Sequence, residues 1–318
     1  MIFSYSLHDG VLTPTTGDLE TALWLDLDNP TAEEEAAVEA ALRCNIPTQA
    51  EMNEIEISSR LYTFNHSTFM TAILPANSDS GDPVMGPVSF VLTPSHLVTV
   101  RYHNPRVFVS FPPRAHATQI EMDGPSGVLV GLMEAVIDRQ ADILERAAAE
   151  IDAQSRGVFL PVKCGKNPDY QKVLEKIGQM GNLNSNIRDS LLTLDRLVTY
   201  LGQVLTKQDA SPDLRERART LASDVKSLTD HANFVASKIT FLLDATLGLI
   251  NIEQNSIFKI FSVVSVIFLP PTLIASMFGM NFAHMPELQW AYGYPYAIGL
   301  MVTFAVLPFL YFKYKKWL

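Results

Sequence analysis

Two stretches near the C-terminus constrain this chain more than any other feature. Residues 260–278, IFSVVSVIFLPPTLIASMF, run for 19 positions without a charge, and residues 292–312, YGYPYAIGLMVTFAVLPFLYF, for 21. A helix needs about 20 apolar residues to cross the hydrocarbon core of a bilayer. The competing reading is a buried hairpin in a soluble domain, and the charge-free lengths speak against it. The loop between the runs is short, so the two spans are expected to be antiparallel neighbours. Lys259 precedes the first span, Lys313, Lys315 and Lys316 follow the second, and the loop has no Lys or Arg. That distribution predicts both termini in the cytoplasm and residues 282–291 outside. Trp290, Tyr292, Tyr294 and Tyr296 fall where an outer aromatic belt belongs.

The remainder has a different character. Residues 257–318 hold four basic groups and one acidic group. Residues 1–256 hold 20 basic and 33 acidic groups, a net of −13 within a chain total of −10. This balance argues against nucleic-acid binding. It suits a domain that handles cations, and equally an ordinary acidic soluble domain. The 318 residues suffice for two ordinary domains. Cys44 and Cys164 stand far apart with no CxxC or Cys/His cluster, so no zinc site is suggested and a reducing compartment fits. The opening MIFSYSLHDGVL has no basic region followed by a long apolar core, and does not read as a secretory signal.

Residues 1–123 are predicted to form a cytoplasmic α/β domain. ALWLDLD and FVLTPSHLVTVRYH have strand composition, and PTAEEEAAVEAALR is a helix opened by a capping box of Thr31 and Glu34. There is no Gly-rich phosphate loop, no HExxH and no nucleophile motif. His66, His96 and His103 read as surface or structural residues. Residues 124–256 are predicted to be long helices. One covers 124–156 and a second 167–207, with the heptad stripe Val173, Ile177, Met180, Asn184, Ile187, Leu191, Leu194, Val198, Leu201 and Leu205. A third starts with Ser211 as N-cap and Pro212 at the first helical position. Its stripe of Leu214, Ala218, Leu221, Val225, Leu228, Ala232, Val235, Ile239 and Leu242 meets no breaker before the membrane. One helix is therefore expected from Pro212 into the first span, ending near Gly279. Residues 257–318 form the transmembrane part. The fold class is thus α+β with very long helices and two C-terminal spans.

Two helices cannot enclose a conduit, but several subunits could. Stepping by three or four along the first span gives Phe258, Phe261, Ser265, Leu269, Thr272 and Ser276, then Gly279, Met280 and Asn281. Hydroxyls on such a face could hold water, and rings of Phe and Leu could exclude it. The other reading is that Ser and Thr bond a neighbouring helix or their own backbone. Pro270 and Pro271 each remove a backbone donor in mid-span, which favours a helix facing other protein or water.

These residues resemble the CorA magnesium transporter family. The likeness rests on Gly279-Met280-Asn281 after the first span, MPEL at 285–288, YGYP at 292–295 and the basic end YFKYKKWL. The stretch GLINIEQNSIFKIFSVVSVIFLPPTLIASMFGMNF is similar to the enterobacterial type in particular. The resemblance implies a funnel-shaped homopentamer in the plasma (inner) membrane, with the first spans lining the pore. It further implies a selectivity ring of Asn281, with Gly279 and Met280 shaping the turn. Thr272 falls on a pore-lining position, and Phe258, Phe261 and Leu269 on apolar constriction positions. Relatives often carry an acidic residue where Ala283 stands, which shifts external cation attraction to Glu287. In the family, Mg²⁺ between cytoplasmic subunits favours the closed state. The family's carboxylate on the long helix corresponds to Thr220 here, leaving Asp224, Glu51 and Glu54 as regulatory candidates.

The expected function is a Mg²⁺ channel or transporter, with Co²⁺ and Ni²⁺ as further ions and no organic cofactor or enzyme activity. Mg²⁺ dehydrates reluctantly, and amide carbonyls of Asn281 could accept hydrogen bonds from its water shell. The alternatives are a zinc transporter of the same superfamily and a membrane-tethered sensor or enzyme. The last would need a catalytic constellation in residues 1–256, and none is visible.

Overall fold

The structure is a computed structural model that describes residues 1–8, 11–15, 19–79, 83–118, 124–159, 169–280, 286, 290–315 and 317. Its N-terminal part is a seven-stranded sheet. The strands are β1 (Ile2–His8), β2 (Val11–Thr15), β3 (Trp24–Asp28), β4 (Leu61–Phe64), β5 (Ser67–Ala76), β6 (Val84–Leu92) and β7 (Leu97–Arg101), in the order β2-β1-β3-β7-β6-β5-β4. All neighbours are antiparallel except β3 and β7. The helices are α1 (Ala32–Leu42), α2 (Gln49–Met52), α3 (Ile57–Arg60), α4 (Val107–Thr118), α5 (Gly124–Phe159), α6 (Tyr170–Lys207), α7 (Pro212–Phe278) and α8 (Gly293–Tyr314).

Both faces of the sheet are covered. On one, Leu25, Leu27, Val91, Val98 and Val100 pack with Val38 of α1 and Met52 of α2. On the other, Trp24, Met70, Phe90 and Leu97 join Phe111 of α4, Leu132 of α5, Leu194 of α6 and Leu221 of α7 in one large core. That core lies within the first of two compact units, Met1–Leu243 and Asp244–Leu318. Sheet and long helices share buried side chains, so neither is compact alone.

The local signals act as their chemistry requires. Thr31 caps α1 through the Glu34 amide while the Glu34 carboxylate accepts from the Thr31 amide, completing the capping box. Ser211 Oγ accepts from the Leu214 amide and Pro212 opens α7. The two-residue turn between β4 and β5 is Asn65-His66, with φ of 47° and 64°. This left-handed pair matches the twist of a tight hairpin and gives His66 a turn role. His103 reaches the Leu74 carbonyl and His96 the Glu20 carbonyl, so both tie chain segments together.

In α6 the stripe residues Ile177, Asn184, Ile187, Leu191, Leu194, Val198, Leu201 and Leu205 are buried, while Val173 and Met180 are half-buried. The stripe of α7 is buried at Leu214, Ala218, Leu221, Val225, Ala232, Val235 and Leu242. Asn184 sits in the α6–α7 seam and donates its amide to the Ala232 carbonyl at 3.1 Å. At 67 residues, α7 is one helix about 100 Å long.

Candidate functional site

The site is built on the C-terminal part of α7 and the start of α8. Both helices are long and apolar enough to cross a membrane. At 100° per residue, Phe258, Phe261, Ser265, Leu269, Thr272 and Ser276 fall within an arc of about 80°. All six are exposed in the chain, Phe258 at 68% and Leu269 at 67%. Across the helix Val263 is buried, and Ile267, Pro270, Pro271, Ile274 and Phe278 are half-buried. The stripe is thus free of the chain's own shielding along its whole length.

The hydroxyls on this face are already oriented. Ser265 Oγ donates to the Phe261 carbonyl at 2.9 Å and Thr272 Oγ1 to the Phe268 carbonyl at 2.7 Å. Back-bonding to the helix is therefore realised at both positions. It spends the proton and leaves oxygen lone pairs pointing outward. Such an oxygen is an acceptor, the complement of water held on a divalent cation, whose O–H groups are strengthened as donors. Helix α7 stays continuous through Pro270 and Pro271, although these residues give no amide proton to the carbonyls of Val266 and Ile267.

Beyond Phe278 the ladder tightens. The Gly279 amide still bonds the Ala275 carbonyl at 3.0 Å, while the Met280 amide turns to Met277 at 3.3 Å. Met280 is exposed. Asn281, Ala283 and Glu287 lie outside the described residues, as do Cys164 and Lys316. At the start of α8, Trp290 packs against Tyr292 and Tyr296, with ring centroids 6.3 and 5.7 Å away. These rings and Tyr294 are exposed, the placement an interfacial aromatic belt needs.

The regulatory candidates are separate features in one chain. Glu51 Oε2 accepts from the amide and hydroxyl of Thr48, both within 2.9 Å, and so belongs to the capping box of α2. Glu54 is exposed in the following turn, where its carbonyl accepts from Arg60 Nε. Asp224 is exposed on α7. Thr220 bonds back to the Glu216 carbonyl. Among the described residues no three Asp, Glu, His or Cys side chains form a group that could hold a metal.

Two charged clusters escaped the sequence reading. Asp26 and Arg101 form an ion pair at 2.9 Å with both side chains almost wholly buried. Thr99 donates to Asp26 and receives the Trp24 indole proton. Burial pushes the Asp26 carboxyl above its ordinary range, against the hydrogen bonds from Arg101 and Thr99. Asp79, between β5 and β6, meets Arg106, Arg139 and Arg146. Partial burial works against its ionisation, yet bonds from the three guanidinium groups outweigh that and hold it well below the usual carboxylate value.

Comparisons with known proteins agree with this architecture. Residues 20–315 match the family model described as CorA-like Mg2+ transporter protein. The magnesium transport protein CorA of Haemophilus influenzae (strain Rd) is 33% identical over 322 residues, and that of Escherichia coli K12 is 32% identical over 327. Each alignment covers all of both chains. The CorA magnesium transporter from Methanocaldococcus jannaschii superposes with a TM-score of 0.78 at 19% identity, over 100% of this chain and 99% of that one. The ZntB cytoplasmic domain from Vibrio parahaemolyticus gives 0.53 at 11% identity, over 78% of this chain and 97% of the domain. The structural likenesses establish a shared fold, and the sequence match across nearly the whole length decides the family. The chain is a member of the CorA family of Mg²⁺ transporter proteins.

Proposed function

We propose that this chain is the subunit of a homopentameric Mg²⁺ channel in the plasma (inner) membrane, with both termini cytoplasmic. The observation that carries the reading is the exposed stripe of α7, which runs from Phe258 to Ser276 and leads directly into Gly279-Met280-Asn281. Copies of α7 would face one another across this stripe. Phe258, Phe261 and Leu269 would form rings that exclude water when narrow, and Ser265, Thr272 and Ser276 would offer oxygens to a hydrated ion. Asn281 would take the ion at the outer mouth through its amide carbonyl, with Glu287 adding long-range attraction. A neutral amide binds weakly enough for release, which conduction requires.

The acidic part before the spans supports regulation by the transported ion. Mg²⁺ bound between cytoplasmic parts, with Glu51, Glu54 and Asp224 as candidate ligands from different subunits, would favour the closed state. An ion shifts that balance only by its different affinity for closed and open forms. Co²⁺ and Ni²⁺ share the size and hydration that the proposed filter reads. The zinc-transporting alternative predicts that Zn²⁺ is the better cargo.

The test is ion uptake by proteoliposomes holding the purified chain, paired with native mass spectrometry in detergent. Mg²⁺ influx and a five-subunit mass are expected. Zn²⁺ influx without Mg²⁺ influx would move the assignment to the zinc branch. A monomer or dimer with full uptake would end the pore reading.

A further inference from the structure

Between the β1–β2 edge of the sheet and α4 lies a cavity of about 800 Å³, within the size range of sites for small organic molecules. Its walls are apolar, with Phe3 and Tyr5 from β1, Leu12 from β2, and Phe108, Val109 and Pro112 from α4. Its floor is polar and charged, formed by Asp26, Asp28, Arg101 and Asn104. The reading of α7 as a pore helix makes no use of this region.

The floor has a definite polarity. Arg101 is committed to the protein. Its Nε and Nη2 donate to Asp26, and its Nη1 serves the His103 carbonyl, Asn104 Oδ1 and Asp28. Asp26 is committed as well, to Arg101 and to the Thr99 hydroxyl. Asp28 differs from both. Its side chain is one-fifth exposed, and its carboxylate lies 3.2 Å from Arg101 Nη1 as an ion pair and accepts a hydrogen bond from Asn29 Nδ2 at 2.8 Å. A carboxylate has about four acceptor positions, so Asp28 keeps capacity toward the cavity. Two carboxylates against one guanidinium leave the floor with a net formal charge of −1.

We propose that this cavity binds an amphiphilic organic cation, an ammonium group carried on a small aromatic or aliphatic body. The ammonium would donate to Asp28, and the body would lie against Phe3 and Phe108. An anion would meet a floor whose net formal charge is −1. A bare divalent metal needs several converging oxygen ligands, and among the described residues no three Asp, Glu, His or Cys side chains group to hold one. The apolar walls select against a purely polar solute, and the charged floor against a purely apolar one. This inference is independent of the transport reading.

The experiment is a ligand-observed NMR titration of the full-length protein in detergent with phenethylamine. Saturable binding with a Kd on the order of 1 mM is expected for so small a ligand. 3-Phenylpropionate, which has a similar ring and reach but a carboxylate, should bind about tenfold more weakly or worse. Asp28→Asn should weaken phenethylamine binding by about tenfold. Val109 sits on the rim and is 73% exposed, so Val109→Trp should fold and block entry. Equal binding of the two probes, unchanged affinity in both variants, or no saturation by about 10 mM would each overturn the proposal. So would binding that emerges only when the assembly is dissociated, which would assign the cavity to a neighbouring copy of the chain.

Discussion

Helix α7 is one continuous element, yet its two halves live by different rules. Up to Leu242 it buries a regular stripe inside its own chain, with Leu221 only 3% exposed. From residue 244 on, burial is sparse, and the large apolar residues from Ile257 to Met277 are mostly exposed. The first half is stabilised by partners that the chain itself supplies. The second half leaves large apolar side chains such as Phe258, Phe261 and Leu269 uncovered by its own chain, as a segment long and apolar enough to cross a membrane does. Heptad spacing predicts a helix in both halves. Only in the first does it also predict an intrachain partner.

Four measurements would break or sharpen this contrast. The largest effect is expected in the Gly279-Met280-Asn281 sequence that follows α7. Asn281→Ala removes the amide acceptor, and Mg²⁺ uptake by proteoliposomes should fall to near background with an unchanged yield of assembled protein. If Asn281 only caps the helix, uptake survives and stability drops by about 1 kcal/mol or less; that result would remove the functional distinction between the halves.

Next comes the self-sufficiency of the unit Met1–Leu243. Arg101→Met strips the buried Asp26 carboxylate of its cation, and chemical unfolding should show a loss of about 3–5 kcal/mol. A loss below about 1 kcal/mol would mean that water reaches the pair. The halves can then be compared directly. Leu221→Ala should cost about 2–5 kcal/mol through a cavity in the core. Leu269→Ala should cost about 0.5 kcal/mol or less in the isolated chain while changing the Mg²⁺ conductance of the assembled protein. Equal stability losses at the two leucines would contradict the contrast.

The smallest effect concerns Asp79 and its three arginines. The carboxyl is held below its ordinary value, so its contribution is complete above the unfolded pKa of about 3.9 and fades as pH falls from there toward the folded value. Asp79 is 39% exposed, and solvent screening limits the contribution to about 1 kcal/mol or less. Asp79→Asn should destabilise by no more than that at neutral pH and should flatten the loss of stability below about pH 4. An unchanged acid limb would show that the cluster adds nothing.

Much of the fold was legible because its signals are local. The extents of α6 and α7 follow from apolar periodicity, the starts of α1 and α7 from the caps Thr31 and Ser211, and the two spans from uncharged length. The stripe on the first span was readable for the same reason, since helical spacing alone puts its residues on one side. The surroundings of the acidic candidates were not. Glu51 is occupied by its own helix cap, and its spatial relation to Asp224 has no counterpart in sequence separation.

The amino-acid sequence by itself determined helices α1, α5, α6 and α7, the membrane segments, the Gly279-Met280-Asn281 motif and through it the family, because each depends on residues within a few turns of one another. The tertiary structure alone decided the strand order, the parallel pairing of β3 with β7 and the fate of Asp26. In WLDLD the alternation suggests that Asp26 and Asp28 face water while Leu25 and Leu27 face the core. Helices cover both faces of the sheet, so Asp26 is buried and must be neutralised by Arg101, 75 residues away. No local pattern encodes such a partner, because the need for it arises only when two distant strands are placed side by side and water is excluded between them.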